Sequence, residues 1–255
     1  MKASCFLSGL FLYLSVSLAL AAEESDKPTG SGAQVAVSAK ACSDREGKQP
    51  WRYWLYLPEG DDQLAGKKWP LLLYLHGSSL RGNDLEMLKR YGPPSFVEKR
   101  KDFPFLTVSP QLPEGGWPAD RLSVLLDELL ETYPIDPERI YLSGVSLGAM
   151  GAWTFAAAEP DRIAALVPIC AHGPVSVAEV LTEMPIWAFH GAKDYIIPIE
   201  PHQKLIESIK ANGGDARFTV YPDGDHGGVI APTYKNPELI EWLLEQKRKI
   251  PVDEH

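Results

Sequence analysis

The chain has 255 residues, with 34 Asp plus Glu against 25 Lys plus Arg, for a formal net charge of −9. That length suits one α/β domain with a single large core, and an acidic chain with no basic run is a poor partner for nucleic acid. Three cysteines exclude a disulfide-built scaffold and, with no histidine cluster beside them, give no structural zinc pattern.

In chain order, residues 1–22 are expected to be a secretion signal. Lys2 supplies the charged end, 6–20 is apolar apart from small or polar residues, and Ala19-Leu20-Ala21 offers a cut after Ala21 or Ala22. The apolar stretch is short for a spanning helix, and no Cys stands at the cut for a lipid anchor. The mature chain is therefore expected to be secreted or periplasmic, with no membrane span. Cys5 leaves with the signal, and Cys42 and Cys170 are expected to remain unpaired thiols. Residues 23–33 read as a flexible polar leader, and 34–250 as one folded domain.

Within that domain, 35–39, the turn-rich 43–49 and 51–57 read as an antiparallel hairpin. Short apolar runs between Pro or Gly then mark strands at 71–75, 106–109, 140–142, 166–169, 186–189 and 217–221, in the pattern of strands buried on both faces. Helices are expected between and after them at 85–90, 121–132, 147–159, 201–212 and 237–249. Asp136-Pro137-Glu138 reads as a turn ahead of the 140–142 strand. The alternation predicts an α/β fold: a mainly parallel sheet with helices on both faces, led in by the hairpin. Between Pro168 and Met184 the insertion is too short for a large lid domain, so an open, shallow site is expected.

Such sheets place their chemistry at the carboxyl ends of the strands. There the chain offers His76-Gly77-Ser78-Ser79 after 71–75, Gly144-Val145-Ser146-Leu147-Gly148 after 140–142, His190-Gly191-Ala192-Lys193-Asp194 after 186–189, and Pro222-Asp223-Gly224-Asp225-His226 after 217–221. A Gly-x-Ser-x-Gly alone is a weak signal, because an ordinary Gly/Ser turn looks the same. Here a buried strand precedes it and an Ala-rich helix follows, the context in which a sharp turn exposes a serine hydroxyl.

Acyl transfer needs what these four ends supply. Ser146 is the candidate nucleophile, His226 the base that takes its proton, and Asp194 the acid that orients the imidazole. The backbone N–H groups of Leu147 and Ser78 are the candidate oxyanion donors. His226 is preferred among six histidines because it follows the last strand. His76 and His190 each precede a Gly at a strand end and read as structural, bonding loop backbone. His172 and His202 read as surface residues. Asp194 competes with Asp223, Asp225 and Glu200, but turn aspartates next to His226 usually bond their own backbone.

These residues carry a resemblance. Together with Tyr56-Leu57-Pro58-Glu59-Gly60, Arg81-Gly82-Asn83-Asp84, Ser109-Pro110-Gln111 and Asp136-Pro137-Glu138-Arg139-Ile140-Tyr141, the chain after Gln34 resembles the α/β-hydrolase superfamily. Within it, the chain is similar to the small secreted esterases of the dienelactone-hydrolase, polyhydroxybutyrate-depolymerase and feruloyl-esterase-like group. The resemblance implies an α/β-hydrolase catalytic domain over 34–250, a Ser146–Asp194–His226 triad, no metal or organic cofactor, and a small-molecule or carbohydrate ester as substrate. The chain departs from its relatives at Ser78, where lipases often have Gly, and at Gly227-Gly228-Val229, where an acidic and an aromatic residue are common. Trp117, on the long loop after 106–109, is a candidate platform for a sugar or phenolic ring, the alternative being that it packs against the loop itself. Arg81 is expected to hold that loop. A peptidase or lysophospholipase on the same scaffold, and a non-catalytic binding module, are the alternative readings.

Overall fold

The computed structural model describes residues 32–40, 50–59, 66, 68–100 and 102–248. The expected signal at 1–22, most of the 23–33 leader, Cys42 and the 43–49 turn lie outside the described residues.

The expected hairpin is β1 (Gln34–Ser38) against β2 (Arg52–Tyr56), antiparallel, with Val35 opposite Leu55. The other strands are β3 (Trp69–Leu75), β4 (Leu106–Pro110), β5 (Ile135–Val145), β6 (Ala165–Ile169), β7 (Ile186–Gly191) and β8 (Ala216–Tyr221). They form one eight-stranded sheet in the order β1-β2-β4-β3-β5-β6-β7-β8, parallel from β4 to β8.

Both faces are apolar because the strands alternate between two cores. Leu71, Leu73 and Leu75 point into one, with the buried Leu122, Leu125, Leu126 and Leu129 of α1 (Ala119–Thr132) and with α2 (Leu147–Ala158) and α3 (Ile199–Ala211). The i, i+3, i+4, i+7 spacing of the α1 leucines gives that helix one buried stripe. Leu72 and Tyr74 point into the other core, against α4 (Ile230–Lys235) and α5 (Pro237–Glu245). Each of these Leu side chains contributes about 1.5–3 kcal/mol by leaving water.

Four expectations are corrected. The segment 85–90 is a 3-10 helix rather than an α-helix. Asp136-Pro137-Glu138 lies within β5 and not in a turn before it, since Ile135 already pairs with Trp69 across a register shift. The last helix stops at Glu245, just past its last buried residues, Trp242 and Leu243. A short helix, α4, stands where none is expected. Among the described residues no helix is long and apolar enough to cross a membrane.

The strand order turns round at β3: β4 lies on one side of it and β5 on the other. A sheet with such a switch opens a crevice at the carboxyl ends of the diverging strands. His76-Gly77-Ser78 leaves β3 there, and Ser146 leaves β5.

Candidate active site

Ser146 joins β5 to α2 at φ 56° and ψ −119°. A non-glycine residue at positive φ costs about 1–3 kcal/mol, so the surroundings must hold it there. The Ser146 N–H donates to Ile169 O at 2.9 Å, and Ser146 O accepts from the Met150 N–H at 3.0 Å. The flanking glycines permit the turn by close approach. A Cβ on Gly144 would meet Gly148 O, and one on Gly148 would meet Leu75 O.

His226, five residues beyond β8, places Nε2 3.0 Å from Ser146 Oγ and Nδ1 2.7 Å from Asp194 Oδ2. The carboxylate accepts at Nδ1, so the proton sits there and Nε2 is free to accept the serine hydroxyl. Asp194 has a fully buried side chain. Its Oδ1 accepts the N–H groups of Ile196 and Ile197, each at 2.9 Å. Burial alone would raise this carboxyl, but the bonds from Ile197, His226 and Ile196 outweigh it and hold the group below its ordinary value. The competing acids face elsewhere. Asp223 accepts from exposed Lys193 at 2.6 Å, Asp225 caps the Gly228 N–H at 2.6 Å, and Glu200 is exposed in the first turn of α3.

Leu147 opens α2 and Ser78 opens a 3-10 turn, Ser78–Leu80. First-turn N–H groups have no partner inside their own helix, and among the described residues neither of these two has an acceptor. A Cβ on Gly77 would lie 3.4 Å from Ser146 Cβ, which brings the Ser78 loop beside the serine. Behind that loop, His76 Nδ1–H donates to Gly77 O at 2.7 Å and Nε2 accepts the Leu112 N–H at 2.9 Å. Burial lowers this imidazole from 6.5 to about 4, so it stays neutral. Arg81 ties the same loop to the next, donating to Ser78 O at 3.2 Å and Gly115 O at 3.1 Å.

Trp117 does not stand open to solvent: of its two readings the structure shows the packed one, and the platform reading is corrected. It is 6% exposed, donates to His76 O at 3.1 Å and meets the Trp51 ring edge-on at 5.5 Å. Gly151 of α2 makes room for it, because a Cβ there would strike Trp117 Cβ. Directly after Asp194 stand two exposed apolar side chains, Tyr195 at 90% and Ile196 at 72%. Sequence reasoning misses this pair, although position next to the acid is a usable signal. It also misses Tyr91, whose hydroxyl is 3.1 Å from Ser79 Oγ and would lie 2.9 Å from a Cβ on Gly77. His202, expected at the surface, is fully buried against the Trp153 and Phe218 rings.

Cys170, a buried free thiol, donates to His226 O at 3.2 Å and so ties down the loop that carries His226. Cys170, Asp194 and His226 bring possible ligand atoms within 4.8 Å of one another. Burial and the Asp194 charge push the thiol well up, which opposes the thiolate a metal needs.

The sheet and the turn at Ser146 have the α/β-hydrolase fold. Residues 119–232 match the dienelactone hydrolase family. A solved thermostable esterase is 32% identical, with a TM-score of 0.75, over 84% of this chain and 63% of that one. A bifunctional acetylxylan esterase/xylanase of Neocallimastix patriciarum is 29% identical over 35% of this chain and 13% of its own length. A ferulic acid esterase shares the fold at 16% identity and a TM-score of 0.63, over 83% of this chain and 98% of that one. The chain spans about half or less of the length of the curated relatives it matches.

Proposed function

We propose that this protein is a secreted or periplasmic serine esterase that cleaves carboxylic esters through an acyl-enzyme. The observation that carries the reading is the unbroken line from Asp194 Oδ2 to His226 Nδ1 at 2.7 Å and from His226 Nε2 to Ser146 Oγ at 3.0 Å. Ser146 Oγ attacks the ester carbonyl while His226 Nε2 takes its proton. Asp194 stabilises the imidazolium, and the Leu147 and Ser78 N–H groups receive the oxyanion. His226 returns the proton to the leaving alcohol, and water repeats the sequence to free the acid. The scheme uses no metal or organic cofactor. Esters carried by polysaccharides, acetyl or feruloyl, are the substrate class we favour. The acetylxylan and ferulic acid esterases among its relatives support this, as does exposed Tyr195, which offers a face to a sugar or phenolic ring.

The test is hydrolysis of p-nitrophenyl acetate, butyrate and octanoate, with a p-nitroanilide alongside, by the chain and its Ser146→Ala variant. The expected result is a rate that falls with acyl length, is absent for the anilide, and drops by a factor on the order of 10⁴ or more in the variant. Anilide cleavage at comparable rates would move the assignment to a peptidase. Equal ester rates in both proteins would remove Ser146 as the nucleophile.

A further inference from the structure

Behind Asp194 lies a second pair of histidines. His190, in β7, and His202, in α3, are both fully buried and meet Nδ1 to Nδ1 at 2.9 Å. On the far side of its ring, His190 Nε2 is 3.0 Å from Ile197 O and 3.3 Å from Asp194 Oδ2. A carbonyl oxygen only accepts, so His190 Nε2 carries a proton. Burial, first of all, lowers both rings' affinity for a second proton, with His172 facing both and His226 facing His190; Asp194 and Ile197 O pull His190 the other way without prevailing. Both rings are therefore neutral, and His190 Nδ1 presents a lone pair. The proton between them belongs to His202 Nδ1. His202 Nε2 is left as an acceptor, and it is buried with no hydrogen-bond partner among the described residues. A single carbonyl thus dictates the tautomers of two rings.

The N–H dipoles run one way, from His202 through His190 to Ile197 O beside the carboxylate, and such chains polarise one another. Asp194 Oδ2 accepts from His226 at 2.7 Å and lies 3.3 Å from His190 Nε2, while Oδ1 is held by the N–H groups of Ile196 and of Ile197, the residue whose carbonyl His190 grips. Neutrality matters as much as the bonds, because a cation on His190 would repel the imidazolium that forms on His226 during acyl transfer.

We propose that His190 and His202 are positioning residues: a neutral, directional relay that fixes the Asp194 carboxylate and through it the His226 imidazole. This rests on the reading of Ser146, His226 and Asp194 as the catalytic triad. Were the two rings only filling space, an apolar residue of similar volume would serve equally well.

Two measurements test it. Long-range ¹H–¹⁵N correlation on the wild-type chain should find His190 as the Nε2–H tautomer and His202 as the Nδ1–H tautomer. Both should stay less protonated than a free imidazole at the same pH. In kinetics with a p-nitrophenyl ester, His202→Leu should lower kcat about tenfold with KM changed less than about twofold, since groups are misplaced rather than binding lost. His202→Asn, whose amide N–H can stand where Nδ1–H stood, should recover most of the loss. His202 observed as Nε2–H, or Leu and Asn variants with the same kcat, would overturn the proposal. The two failures are distinguishable. A failed triad leaves the tautomers as derived but no esterase activity, whereas a failed relay gives esterase activity with His202 in the other tautomer.

Discussion

The two flanks of Ser146 are held by different physics. On the β3–β5 side the backbone sets the geometry. Gly144 and Gly148 let α2 press against the sheet, and the candidate oxyanion donors are main-chain N–H groups. On the β7–β8 side, side chains set it: Asp194 accepts from two backbone N–H groups and the His226 imidazole, with His190 Nε2 3.3 Å away, and the Cys170 thiol donates to His226 O. The first side has no room for an added atom. The second is as tight at Gly191, where a Cβ would meet Gly224 O, and depends besides on which groups donate and which accept.

The comparison can be broken most severely at the acid. Asp194→Asn keeps the shape but loses the charge that orients and stabilises His226, and kcat should fall about a thousandfold or more. Asp223→Asn, at an exposed carboxylate paired with exposed Lys193, should leave kcat within about twofold, because such surface pairs contribute little. Comparable losses in both variants, read from ester hydrolysis rates, would put the acid in the wrong place.

On the backbone side, Gly148→Ala forces a Cβ onto Leu75 O and should destabilise the fold by about 3 kcal/mol or more. Gly227→Ala has open space around its Cβ and should change stability by less than about 0.5 kcal/mol. Urea unfolding of the two variants side by side checks the contrast, and a tolerated Gly148→Ala would contradict the tight approach of α2.

A smaller effect comes from His76, under the oxyanion loop. Its imidazole binds a proton at about 4 in the folded chain against 6.5 in the unfolded one. Between those values the unfolded chain holds the extra proton, so stability is complete above 6.5 and is lost as pH falls toward 4, by roughly 3 kcal/mol. His190 and His202 are shifted the same way and add to the loss. His76→Gln should flatten the dependence of urea midpoint on pH across that window. An unchanged slope would mean that His76 is not the group being titrated.

Legibility in the sequence follows the same division. The parallel strands are readable because a strand buried on both faces is a continuous apolar run, such as Leu71 to Leu75, and Pro or Gly brackets it. Ser146 is readable because its turn is written in backbone requirements, two glycines between a strand and an Ala-rich helix. Features made by tertiary packing are not. His202 sits in Pro201-His202-Gln203-Lys204, a polar helix start, and is buried only because Trp153 and Phe218 close over it. Trp117, in a Gly- and Pro-rich loop, looks open until Gly151 of α2 is seen to receive it. The six residues of α4 contain Pro232 and carry too short a period to register as a helix.

The most direct test of the central claim is covalent. The chain and its Ser146→Ala variant would be treated with a fluorophosphonate, digested and read by mass spectrometry. Capture by the activated serine predicts one adduct, on Ser146, with parallel loss of ester hydrolysis, and no adduct in the variant. An adduct on another residue, or full hydrolysis by the Ser146→Ala chain, would contradict the account.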